Sequence, residues 1–332
     1  MHGHGTRSKR AARPDATAGV RVSEPRGVNL SASAVICAYT MVRWDELKVA
    51  IQSLRVQSVP PSEIVVVIDY NDELEVRLRA DEPDITVVPN TARRGLSGAR
   101  NTGIARVSGD VIAFLDDDAA ARPDWLERML VLYADPRVMA VGGKAVAAWP
   151  GRGAPPTLPP ELLWVVGCSY RGMPERLEPV RNVMGCSMSF RREVFDLVGG
   201  FEESVGRLGT LPMGCEETEL CIRLQQARPD ARVLLEPRSV VDHSVSADRL
   251  TWSYLLRRSY AEGISKSVVG RMVGSKHATS TERRYVTTVL PSGGMRELRA
   301  GSIQSAAAMT ASVLAAGAGF ARSSVAAAVT HR

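Results

Sequence analysis

Apolar and polar positions alternate in blocks along the first half of the chain. Ala34 to Tyr39 reads AVICAY, apolar enough for a strand buried on both faces. From Asp45 to Gln57, the residues Leu47, Ala50, Ile51 and Leu54 recur at i, i+3, i+4 and i+7, the period of an amphipathic helix. Pro60 and Pro61 break the chain. Ile64 to Ile68, IVVVI, then supplies a second strand rich in β-branched residues. Ile85 to Val88 predicts a third, shorter strand, residues 97–107 a helix, and Val111 to Leu115, VIAFL, a fourth strand. Pro123 suits the first turn of a helix that carries Leu126, Met129, Leu130 and Tyr133 along one face, and Val138 to Val141 predicts another strand. Strands that alternate with helices through short loops predict an α/β fold built on a parallel βαβ sheet.

From Trp149 to Pro160 the pattern gives way to WPGRGAPPTLPP, a long loop or a domain seam. Beyond it short strands and helices mix less regularly. Ser302 to Phe320 carries no charge and is dominated by Ala and other small residues. Its length suits a membrane span, but Ala and Ser give a weak hydrophobic signal, so a surface or partner-packing helix fits equally.

Composition changes this picture little. The chain has 332 residues, 45% hydrophobic and 23% charged, ordinary for a globular protein with a buried core. The net charge of +6 is unevenly placed: Met1 to Arg26 holds Arg7, Lys9, Arg10, Arg13, Arg21 and Arg26 against Asp15 and Glu24. Without apolar periodicity this segment reads as a disordered basic arm, and without an apolar h-region it is no secretory signal. A solvated leader is the plainer reading of the arm, with contact to anionic lipid headgroups or nucleic acid as the alternative, while the folded part does not look like a nucleic-acid binder. The expected location is the cytoplasm, with peripheral contact at the inner face of the cell membrane. Cys37, Cys168, Cys186, Cys215 and Cys221 are odd in number and include no C-x-x-C, which fits reduced, buried thiols.

The candidate chemistry starts at Asp116, Asp117 and Asp118, which directly follow the VIAFL strand. Ligands of open α/β sheets gather at the carboxyl ends of strands, so these carboxylates project into such a crevice. Hard oxygen ligands suit Mg²⁺ or Mn²⁺, which can bridge phosphate oxygens. Asp69 ends the IVVVI strand and points to the same crevice. A solvated turn that caps the helix near Pro123 is the alternative.

The segment Asn90 to Glu127, NTARRGLSGARNTGIARVSGDVIAFLDDDAAARPDWLE, resembles the nucleotide-sugar half of family 2 glycosyltransferases, in which G-x-s-x-A-R-N-x-G precedes a strand and a D-x-D. Gly95, Ala99, Arg100, Asn101, Gly103, Gly109, Asp110, Asp116 and Asp118 match. EIVVVID, Glu63 to Asp69, fits too, with IDYND where D-D-G-S is usual. The resemblance extends over roughly Ala34 to Tyr260. It implies a GT-A fold: a Rossmann-like, mostly parallel sheet flanked by helices, a mixed acceptor-side half and a helical C-terminal tail. The division it implies is a basic arm over 1–30, a nucleotide-sugar half over 31–150, an acceptor and catalytic-base half over 151–270 and the tail over 271–332.

By the same resemblance Asp69 binds the uracil edge of a UDP-sugar, Asp116 contacts ribose or pyrophosphate, and Asp118 holds the divalent metal. Arg94, Gly95, Arg100, Asn101 and Asp117 join the nucleotide-sugar side. GCSMSFRREVFDLVGGFEE, Gly185 to Glu203, resembles the acceptor side, and GCEETELCIRL, Gly214 to Leu224, resembles the family's E-D-x-E/D-L motif. That motif places the catalytic base at Glu217, with Glu216 beside it, although acidic residues also favour any helix start. His243 in VVDHSVS completes the metal shell in the family. Arg257 and Arg258 in LLRRSYAEG resemble a segment near nucleotide or acceptor. The activity implied is inverting transfer of a sugar from a nucleoside diphosphate to an acceptor hydroxyl, on a lipid-linked sugar or a polysaccharide precursor. A nucleotidyltransferase on the same metal-dependent sheet and an inactive sugar-nucleotide-binding protein stay open as alternatives.

Overall fold

A computed structural model of the chain describes residues 30–151, 153–206 and 213–330. The basic arm expected over 1–30 therefore lies, but for Leu30, outside the described residues.

The predicted βαβ alternation forms. β1 (Ala32–Ala38), α1 (Trp44–Arg55), β2 (Glu63–Ile68), α2 (Asp72–Asp81), β3 (Thr86–Pro89), α3 (Leu96–Arg106) and β4 (Val111–Asp116) follow in order. These four strands pair in parallel, in the spatial order β3-β2-β1-β4. Their apolar runs are continuous because both faces are covered. Ala34, Ile36, Val66, Ile68, Ala113 and Leu115 belong to one core, while Val35, Val65, Val67, Ile112 and Phe114 belong to the other. On the second face Phe114, Phe190, Phe195 and Phe201 stack edge to face or tilted, with centroids 5.5–6.3 Å apart.

The sheet continues in mixed directions. β5 (Ala119–Ala121), α4 (Trp125–Leu130), β6 (Val138–Ala148), β7 (Glu178–Pro179), β8 (Ser187–Arg191), α5 (Glu193–Val198), α6 (Glu216–Ala227) and β9 (Arg232–Ser244) complete it. β8 inserts antiparallel between β4 and β6, β9 runs parallel to β6, and β5 lies antiparallel on β9. Strands from both expected halves thus share one sheet. The strand expected over Val138 to Val141 runs on to Ala148, because its outer half pairs along β9 although Lys144 interrupts the apolar run.

The chain ends in helices: α7 (Trp252–Val273), α8 (Ser275–Ala278), α9 (Ser280–Arg284), a π-helical turn over Tyr285–Val289, α10 (Leu290–Arg299) and α11 (Ile303–Thr330). The uncharged stretch seen in the sequence is the first part of α11, which packs along α7. A methyl added to Gly263 would lie 1.9 Å from the Ala316 carbonyl oxygen, so the two backbones nearly touch there. Ser259 and Ser312 hydroxyls meet at 2.8 Å across the same seam. By length and composition α11 is apolar enough to cross a membrane, with a mean hydropathy of 1.3.

Candidate functional site

The carboxyl ends of β1, β2 and β4 come together because the strands are in register: Ala38 lies beside Ile68 and Cys37 beside Asp116. Asp69 and Asp116 therefore sit at one edge of the sheet. Asp69 accepts from the Gly95 backbone N–H at 3.0 Å and from Asn90 Nδ2 at 2.7 Å, which holds the turn before α3 in place. Tyr70, the next residue, has a positive φ of 54°, an uncommon conformation for a non-glycine residue.

His243 reaches the same edge from β9. Pairing of β5 with β9 sets Ala119 opposite His243, and Ser244 N–H donates to the Asp118 carbonyl at 2.7 Å. His243 Nε2 lies 3.3 Å from Asp118 Oδ1. The imidazole rests against Gly167, whose φ of +80° and missing side chain leave room: a methyl there would lie 3.2 Å from the ring. Ligand atoms of Asp116, Asp118 and His243 all lie within 4.8 Å of one another. Two carboxylates and one imidazole suit Mn²⁺ or Mg²⁺, so the donor set fits a divalent cation.

Two arginines that the sequence reading missed surround this cluster. Arg43 Nη1 lies 2.6 Å from Asp117 Oδ1 and 3.1 Å from Asp118 Oδ2, and Arg249 Nη2 lies 3.5 Å from Asp118 Oδ2. Burial alone would raise the Asp118 pKa, but His243, Arg43 and Arg249 together hold it well below the usual range. Burial pushes Asp117 up to about 7 despite Arg43. Burial likewise opposes a charge on His243, yet Asp118 raises its pKa to about 10.

Glu216 and Glu217 open α6, where Cys215 directly before them has a φ of 76°. The turn sends the two carboxylates different ways. Glu216 Oε1 is bound at 2.7 Å by Arg100 Nη1, a guanidinium only 2% exposed. Arg100 also donates to the Gly185 carbonyl at 3.0 Å and lies 3.4 Å from Asp116. Glu217 has no such partner among the described residues and faces the cavity. Burial first, and the charge of Glu216 second, push its pKa up to about 8, more than Arg100 and Lys266 lower it.

Two cavities meet at this edge. The larger, about 980 Å³, is lined by Asp116, Asp118, His243, Glu216, Glu217 and Arg100, among others. The smaller, about 490 Å³, is lined by Asp69, Arg94, Gly95, Asp117 and Asp116, with Tyr39. Arg43, Leu96 and Asp116 border both. Most of the residues singled out in the sequence thus converge. Asn101 does not: it lines neither cavity, its amide bonding the Phe201 backbone at 2.8 and 2.9 Å and Glu203 at 3.1 Å. Arg100 faces the larger cavity and not the smaller one. Arg43 gave no sequence signal, because its partners lie 74 and 75 residues away.

The family model for glycosyl transferase family 2 matches residues 33–199. The chain is 37% identical over 244 residues to a glucosyl-dolichyl phosphate glucuronosyltransferase of Haloferax volcanii, covering 72% of this chain and 77% of that protein. It is 31% identical over 186 residues to a pre-mycofactocin glycosyltransferase of Mycobacterium tuberculosis, covering 54% of this chain and 36% of that one. A mannosyltransferase of Pyrobaculum calidifontis in complex with GDP-Man and Mn²⁺ shares the fold at a TM-score of 0.56 and 16% identity, over 90% of this chain and 88% of that one. GalNAc-T7 with UDP, GalNAc and Mn²⁺ does so at 0.51 and 15%, over 76% and 55%.

Sheet, acidic edge and likenesses together define a glycosyltransferase of the GT-A fold. The chain belongs to glycosyl transferase family 2. The nucleotidyltransferase alternative falls with that membership.

Proposed function

We propose that the protein transfers a sugar, with inversion, from a nucleoside diphosphate sugar to a hydroxyl of a lipid-linked acceptor. One observation carries this reading: the metal-type cluster and Glu217, unpaired among the described residues, face the same cavity, and that cavity adjoins a second one at the carboxyl ends of β1, β2 and β4. The smaller cavity takes the nucleoside, with Asp69 and the Gly95 turn at its wall and the exposed Tyr39 ring beside it. Asp116, Asp118 and His243 would hold a divalent cation, whose charge stabilises a diphosphate leaving group. Glu217 accepts the proton of the acceptor hydroxyl as that oxygen attacks the anomeric carbon from the face opposite the leaving group. Glu216 is withheld from this role by Arg100.

The name of the Haloferax relative supports a dolichyl-phosphate-linked acceptor. An acceptor of this kind fits a protein at the inner face of the membrane, with α11 and the basic arm as its contacts. Calorimetry of UDP binding with and without Mn²⁺, beside Asp118→Ala, tests the donor side. Binding that needs both the metal and Asp118 supports the reading. No UDP binding in any condition refutes the UDP assignment.

A further inference from the structure

The larger cavity has a second charged wall, built by the C-terminal helices and not by the sheet edge. On α7, Arg258 Nη1 donates to Glu262 Oε2 at 2.7 Å, and Lys266 Nζ lies 3.5 Å from Glu262 Oε1. Lys266 Nζ also lies 2.8 Å from Glu282 Oε1 on α9, and Arg181 grips both Glu282 oxygens at 2.6 and 2.8 Å. All five side chains line the cavity, so three cations face two carboxylates. The Cys215 thiol donates to Glu262 at 3.2 Å, and burial raises its pKa well above the ordinary value, so it adds no negative charge. Arg284 and Glu178 line the cavity as well, neither with an ion pair among the described residues, so they offset each other and the excess of one cation stands.

This wall therefore carries surplus positive charge in a largely desolvated place. A net charge held away from water is costly, which is a physical reason for an anionic ligand. The free donors can be located. Arg181 is spent: its Nε is bound to Asn182 Oδ1 and its Nη1 also donates to the Ala278 carbonyl. Arg258 and Lys266 retain N–H groups with no protein acceptor among the described residues. The Trp164 ring, 5.5 Å from the Arg258 guanidinium, holds that group in position. Lys266 is also close enough for its charge to act on Glu217, so this wall and the candidate base share one electrostatic neighbourhood.

Beside the cations the cavity is apolar. Val289, Leu290, Val313 and Ala316 line it between the π-helical turn and α11, and the wall continues to Val286 and Phe320. Those last two are 43% and 38% exposed, so the apolar wall reaches the surface.

We propose that Arg258 and Lys266 bind the phosphate of an amphiphilic acceptor whose hydrocarbon chain lies along the apolar wall between the π-helical turn and α11. This rests on the lipid-linked reading above and names what recognises such an acceptor, a phosphate next to a long apolar chain. The donor diphosphate belongs to the sheet edge, so the two anions are held by different residues.

The test is calorimetry on the intact chain with decyl phosphate below its micellar concentration, beside decanol and inorganic phosphate. Decyl phosphate is expected to bind at least tenfold tighter than either fragment. Arg258→Gln, which leaves Lys266 to Glu262, and Val286→Asp, at an exposed position, are each expected to weaken it at least tenfold. Both variants should stay folded and keep wild-type binding of UDP with Mn²⁺. Decanol binding as tightly as decyl phosphate overturns the anion site, and inorganic phosphate doing so overturns the apolar wall. Unchanged decyl phosphate binding in Arg258→Gln overturns the assignment of that residue. If UDP binds and decyl phosphate does not, this inference fails and the transferase reading stands; the reverse result leaves the phosphate site and removes the donor assignment.

Discussion

Replacing Glu217 by Gln keeps the size of the side chain and removes its basicity. A positioned general base contributes about 10²–10⁴-fold to rate, so Glu217→Gln is expected to lose about that factor at alkaline pH. The structure also sets the pH at which the loss appears. Burial and the adjacent charge of Glu216 push the Glu217 pKa up to about 8. The base acts deprotonated, so the rate rises with pH and levels off above 8. With that value about one molecule in eleven is ionised at pH 7 and about ten in eleven at pH 9, so kcat/KM of the wild type should rise about tenfold between them. The assay is release of UDP from a UDP-sugar with water as the acceptor, at saturating Mn²⁺, from pH 6 to 9.5. The variant should lose both the rate and the inflection near 8. A wild-type profile flat from pH 6 to 9, or a variant within threefold of the wild type at pH 9, would refute Glu217 as the base.

Three further outcomes follow from the same geometry. Glu216→Gln removes the charge that raises Glu217 and takes from Arg100 its shortest carboxylate contact, so the inflection near 8 should move down by about one unit or more; an unmoved inflection disproves the coupling. Asp69→Ala takes away the acceptor of the Gly95 N–H and should weaken UDP binding about tenfold, ~1.4 kcal/mol, while Mn²⁺ binding measured by calorimetry is retained. Gly263→Val drives a side chain into the Ala316 carbonyl and should lower stability by about 3 kcal/mol or more in urea unfolding. As a control, Gly294→Ala in α10, where an added methyl meets nothing within 4 Å, should be neutral or stabilise by up to about 1 kcal/mol. Equal midpoints for these two glycine variants would contradict the close contact of α7 and α11.

The strands β1, β2 and β4 were readable because each is buried on both faces, and a doubly buried strand needs an uninterrupted apolar run. The acidic residues at their ends were readable for a related reason: a run of Asp after such a strand has only the sheet edge to occupy. The start of α6 was visible too, since clustered Glu favours the positive end of a helix.

Other features had no local signature. β8, SMSFR, is short and half polar, and its insertion between β4 and β6 follows from pairing with strands distant in sequence. Arg43 reaches the acidic cluster from the turn before α1, and β5–β9 pairing alone brings His243 to Asp118. The Arg258–Glu262 and Glu262–Lys266 pairs have the i, i+4 spacing that marks ion pairs on a helix, but their surplus charge appears only once α9 and Arg181 close around them.

Glu216 and Glu217 mark the division most clearly. The sequence by itself determined that two adjacent carboxylates open a helix beside a metal-type crevice. The motif resemblance points to Glu217 as the base, but residue type and spacing alone hold no physical reason to separate two glutamates one position apart. The tertiary structure supplies that reason through Arg100, 116 residues from Glu216. Its buried guanidinium neutralises one carboxylate and leaves the other at the cavity with no ion pair among the described residues. Periodicity and local composition report on what each segment buries, whereas the electrostatics of a site depend on which distant charges the fold brings within a few ångströms.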